Sequence, residues 1–165
     1  MTENNNFFLI MPLTFILGTA IQYKFFKHRG SKSIERVMLT SFFFLGFSLL
    51  LQGPSYIFKD SVWTVAVGFG LLGFLLPFTK SPSVTVANAK VAEVYGEEKA
   101  KDLVETTTSL MILFLSVGNV IAYYASPFLT DLFSYRRSYE ILAGFIFICS
   151  GLYFVFGGGY KTFQK

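Results

Sequence analysis

Five uncharged or nearly uncharged apolar blocks dominate this chain, and each is too long for the core of a soluble domain. They run from Phe7 to Tyr23, about Val37 to Leu51, Val62 to Phe78, about Ser109 to Ser126, and Tyr139 to Phe156. At about 15–18 residues apiece, they sit near the lower end of the roughly 17–25 residues that cross a bilayer. A segment inside lipid must satisfy its backbone hydrogen bonds internally, so blocks of this kind are expected as helices. The sequence therefore predicts an all-α polytopic membrane protein with five transmembrane helices. These are expected over about 7–23, 37–51, 62–92 (kinked near 77–82), 106–127 and 139–156, in a single domain covering 1–165. Cytoplasmic loops are expected at about 24–36 and 93–105.

Composition supports the membrane class. Hydrophobic residues make up 53% of the chain and charged residues only 15%, with 21 phenylalanines among 165 residues. Soluble domains carry about a quarter charged residues. The net charge of +4 does not point to nucleic acid, because the basic residues cluster at the borders of apolar blocks, where membrane topology places them. With the stretch Lys24 to Arg36 on the cytoplasmic side, ten lysines and arginines fall inside and three outside, Lys80 being left unassigned. That bias predicts an outside or lumenal N-terminus and a cytoplasmic C-terminus. Plasma and vesicle membranes are not distinguished by it.

Catalytic and metal chemistry have little to work with. Cys149 is the one cysteine and lies within an apolar block, and His28 is the one histidine, in a basic stretch. No second soft ligand accompanies Cys149, and no nucleophile–base pair stands out, so neither an enzyme nor a cofactor or metal site is expected. Gly68, Gly70 and Gly73 in "GFGLLG" have dinucleotide-loop spacing but lie inside an apolar block with no strand before them. Close approach of another helix is the better explanation.

Two features invite a functional reading. In the fourth block, Thr106, Ser109, Ser116, Asn119, Tyr123 and Ser126 recur at intervals of three, four and seven, which puts them on one helix face. Such a face in a membrane turns toward protein or a water-filled cavity rather than lipid. It either hydrogen-bonds neighbouring helices or lines a solute path. Lys80, between Pro77 and Pro82, admits a similar pair of readings. Counting from Trp63 places it ~25 Å along a helix, near the inner edge of a ~30 Å hydrocarbon core. There it either anchors the helix by reaching to the interface or borders a pathway. The two prolines are expected to kink or break the helix.

The order of these features resembles the C-terminal part of a major facilitator superfamily transporter, its eighth to twelfth helices. Within that superfamily it is most similar to the vesicular-amine-transporter-related branch. The resemblance is carried by "LLLQGPSYIF", by the glycine-rich third block with its late prolines, and by "LSVGNVIAYYASPFLTDLFSYRRSYEILAGFIFI". Ser116 and Gly118 match a Ser-x-Gly of the family's eleventh helix, and Asp131 with Ser134-Tyr135 roughly matches an acidic residue before a Gly-aromatic turn. Ala122-Tyr123 stands where the family has Gly-Pro, and Ser126-Pro127 where it has a small pair. The stretch after the first block resembles the loop between the eighth and ninth helices: Gly18 matches its opening glycine and Gln22 replaces an acidic residue. Lys27, Arg29 and Lys32 keep its basic character.

That resemblance implies an incomplete C-terminal half of a facilitator-type bundle, a fragment whose partner is a missing N-terminal half or another membrane subunit. Alternating access rocks one half against the other around a midplane site, so transport by this chain alone is not expected. The implied function is secondary transport of a small organic solute, such as a cation or amine. Substrate contact would fall to Asn119 and Tyr123, supported by Ser116, with Lys80 as a further candidate. The competing expectation is a non-transporting structural or accessory membrane protein that binds partners or lipids.

Overall fold

In the computed structural model, residues 5–53 and 61–164 are described, apart from the side chains of residues 5–8. Lys59, Lys165 and most of the outer connection expected over "QGPSYIFKDS" lie outside the described residues. The described chain is helical, with no strand: α1 Asn5–Phe26, α2 Ser31–Gln52, α3 Val62–Tyr95 and α4 Glu97–Phe156, followed by a 3-10 turn over Gly159–Thr162. All four α-helices are long and apolar enough to cross a membrane.

Four helices stand where five were expected, because the last two apolar blocks are joined through a kink into two arms of α4. The fourth and fifth apolar blocks both belong to the 60-residue α4, which departs from helical geometry at a single residue, Ser134 (φ 70°, ψ 156°). Residues 128–133 and 135–138 contain neither glycine nor proline, so nothing there stops helix formation. Pro127 also lies inside α4, which stays helical through it although a proline there removes a hydrogen bond and crowds the preceding turn. The charged stretch before the fourth block is helical from Glu97 onward. Glu97 and Glu98 occupy the first turn, where carboxylates suit the helix dipole. Only Gly96, at φ 83°, separates α3 from α4.

Small residues set the helix crossings. A Cβ on Gly73 would overlap the Met11 carbonyl and the Thr14 hydroxyl, and one on Gly18 would meet the Phe74 carbonyl. The pairing of Ile10 with Gly70, Thr14 with Gly73 and Phe26 with Phe78 ascends in both helices, so α1 and α3 run parallel. α2 runs antiparallel to α3, from Gln52 beside Gly68 at one end to Glu35 beside Lys90 at the other. Gln52 and Ser48 are fully buried against Gly68, and Gln52 Nε2 donates to the Gly68 carbonyl at 3.3 Å. Without a hydrophobic force between helices in lipid, close backbone approach and such interhelical hydrogen bonds supply the association.

The part of α4 after Ser134 lies antiparallel along α2. Gly53 abuts Tyr139, Phe147 packs on Gly46 and on the rings of Phe43 and Phe47 (both 5.2 Å between centroids), and Tyr153 reaches Glu35. α3 does not break at its prolines: it stays helical from Val62 to Tyr95, with Pro77 and Pro82 both buried. Its polar continuation packs on its neighbours, Val86 being among the most buried residues of the chain.

Candidate functional site

The residues singled out from the sequence fall on two elements. Ser116, Asn119 and Tyr123 lie on the part of α4 before Ser134, which contributes few buried residues. Every residue from Ile112 to Tyr124 is exposed, Tyr123 at 76%. The Tyr123 ring meets Tyr124 edge-on at 5.4 Å. Neither Asn119 nor Tyr123 has a side-chain hydrogen bond among the described residues. A shallow open groove lined by Glu105, Thr106, Ser109, Leu110 and Leu113 begins the same face. The described residues thus leave both the polar and the apolar sides of this stretch uncovered.

Lys80 stands apart from that face. It is exposed on α3, two residues beyond Phe78, whose ring contacts Phe26 at the end of α1 at 5.9 Å. Lys24 and Lys27 flank that end of α1. α3 continues past Lys80 to Tyr95, so Lys80 lies along the helix rather than at its end. It has no ion pair with a carboxylate among the described residues.

A second constellation was not singled out from the sequence. Glu35, in the second turn of α2, is 2% exposed. The Tyr153 hydroxyl donates to its Oε1 at 2.9 Å, and Lys90 Nζ stands 3.6 Å from its Oε2. Lys90 also lies 3.7 Å from Glu93. A buried carboxylate is tolerated only when paired and hydrogen-bonded, and because the Lys90 side chain is 37% exposed, solvent screening holds this ion pair's contribution below that of a fully buried one. Three helices thus meet at one carboxylate.

Directly beside it, Arg36 Nε donates to the Thr162 carbonyl, and the Arg36 guanidinium lies 5.8 Å from the Phe163 ring centre. Thr162 is 2% exposed, and its hydroxyl donates to the Gly159 carbonyl at 2.6 Å. Gly158 takes a left-handed conformation (φ 76°, ψ 13°) that starts the final turn, a backbone state natural to glycine. The signal that could have flagged Glu35 is its position four residues before the buried Leu39, on the face that continues through Leu45, Ser48 and Gln52. Its setting among Lys32, Arg36 and other charges made it read as part of a solvated stretch.

The described residues contain no group of three or more histidine, cysteine, aspartate or glutamate side chains placed to hold a metal. No family model matches the chain, and neither a characterised protein nor a solved structure matches it.

Proposed function

We propose that this chain is the membrane-embedded part of a facilitator-type secondary transporter for a small organic solute, a cation or amine being the favoured class. In this reading α4 crosses the bilayer twice, once on each side of Ser134, giving five crossings. The N-terminus is then outside or lumenal and the C-terminus cytoplasmic. The partner is a further set of membrane helices, either an N-terminal half or another subunit. Asn119 and Tyr123 contact solute, Ser116 supports them, and Lys80 is a further candidate.

One observation carries this reading. The remaining helices leave the first arm of α4 uncovered from Ile112 to Tyr124 on its polar and apolar sides alike, and Ser116, Asn119 and Tyr123 form its polar side. A membrane helix does not keep an asparagine and a tyrosine toward lipid at mid-depth when a protein or aqueous surface is at hand. The end-to-end course of α4 supports the double crossing. It leaves α3 at the Lys90 end of the bundle and folds back at Ser134, close to where Tyr139 meets Gly53. The same uncovered face also favours the second reading, in which an accessory protein uses it to bind a partner helix without any water between them.

Cysteine accessibility separates the two. Single cysteines at positions 116, 119 and 123, in a Cys149→Ser background, should react with a water-soluble maleimide in membranes containing the assembled transporter. Cysteines at Phe114 and Ile121, on the opposite side of the helix, should not. Failure of all three polar positions to react would remove the solute path and leave the packing role.

A further inference from the structure

The cleft beside Glu35 has a chemistry that the proposed transport role does not use. It has a volume of about 260 Å³ and is lined by Ser31, Lys32, Glu35, Lys90, Lys161 and Thr162, with Ala89 and Glu93 completing the wall. Its three lysines come from three elements: the first turn of α2, the C-terminal half of α3, and the final 3-10 turn.

The two carboxylates in the wall share one lysine, so against three lysines the cleft keeps a net charge of about +1. Glu35 is occupied by Tyr153 and Lys90, and Glu93 by Lys90. Lys32 and Lys161 are exposed and have no ion pair among the described residues. Lys161 is held over the cleft by a fastened turn, since Arg36 grips the Thr162 carbonyl and Thr162 is buried.

The backbone adds to this. α2 starts after Gly30 with no side-chain cap and no acidic residue in its first turn; Ser33 and Ile34 donate their N–H groups to the Gly30 carbonyl, which leaves those of Ser31 and Lys32, among the described residues, open to an anion. The cleft also lies at a level where a bilayer would end. Ser31 to Glu35 immediately precede the apolar block of α2, and Lys161 follows the last apolar residues of α4. Basic pockets between helices at that level suit phosphate-bearing head groups.

We propose that the cleft formed by the α2 N-terminus, Lys32, Lys90 and Lys161 binds an anionic phosphate group, carried by a membrane phospholipid or by a soluble organophosphate. Lys32 and Lys161 pair with the phosphate oxygens, and the α2 amides cap it. Lys90 stays on Glu35.

Native mass spectrometry of the full chain in detergent tests this, titrating phosphatidylglycerol, phosphatidylcholine and glycerol 3-phosphate separately. Phosphatidylglycerol is expected to bind more tightly than phosphatidylcholine, and the Lys32→Gln/Lys161→Gln double variant to weaken it by roughly ten-fold or more. Glycerol 3-phosphate binding as tightly as the lipid would assign the site to a soluble ligand, and weaker binding assigns it to the membrane. Both substituted lysines are exposed and have no ion pair among the described residues, so the variant should fold; its melting temperature checks that. The Lys99→Gln/Lys101→Gln variant removes two lysines outside the cleft and should leave binding unchanged. Equal loss in both double variants, no loss in the first, or no binding of either phosphate ligand by the unaltered chain would overturn the proposal.

Discussion

Ser134 holds the most strained backbone among the described residues. A φ of 70° with ψ of 156° belongs to a region that glycine enters freely and that costs other residues about 1–3 kcal/mol. The serine is kept there by its surroundings: the Ser138 hydroxyl donates to its carbonyl at 2.8 Å, and Ser138 itself is buried. Ser134→Gly is therefore expected to stabilise the fold by about 1 kcal/mol, after subtracting the greater freedom of glycine in the unfolded chain. Thermal unfolding in detergent should show the gain, and Ser134→Ala should not reproduce it. The gap between the fourth and fifth apolar blocks marked the interval in which the chain turns, without marking that one residue makes the turn.

At the level of elements, the apolar blocks were legible because length and hydropathy act over many residues at once. The joints were harder to read, because they depend on single residues. Gly96 ends α3, and the charges around it look like a loop, yet Glu97 and Glu98 start a helix instead. Pro77 and Pro82 look like breakers, yet α3 continues through both. Glycines were read correctly as contact points in kind, but their partners could not be read, since a helix interval says which face is small and not which neighbour it meets. The α1–α3 crossing supplies a direct check. Gly73→Val would drive two methyl groups into the Met11 carbonyl and the Thr14 hydroxyl, and overpacking of this kind costs about 1–3 kcal/mol. Gly118→Val, where nothing lies within 4 Å, should leave the melting temperature unchanged. Equal effects from the two would mean that α1 and α3 do not meet there.

Across the whole molecule, the number of bilayer crossings decides which sides the termini occupy. Five crossings, with α4 counted on both sides of Ser134, put the termini on opposite faces; four put them on the same face. Protease-protection or reporter tags at the two ends of the chain, measured in intact cells, should find the N-terminal tag outside or lumenal and the C-terminal tag in the cytoplasm. Both tags on one face would reject the double crossing of α4. The candidate site was legible only in part for the same reason of scale. Helical spacing placed Ser116, Asn119 and Tyr123 on one face, which is a property of one helix. The Glu35 cluster joins residues as far apart in sequence as Glu35 and Tyr153, and no local pattern records such a meeting.

The single-residue joints at Gly96 and Ser134 have a mechanical consequence. From Glu97 to Phe133 the helix extends roughly 55 Å, close to the ~51 Å of the 34-residue α3 beside it. It resembles a rod pinned at both ends to one frame: sliding along the frame would require both pins to move together, whereas rolling about the line between them requires only torsion at two residues. Torsion at these two residues would let the rod roll, and rolling alters which side of it Asn119 occupies.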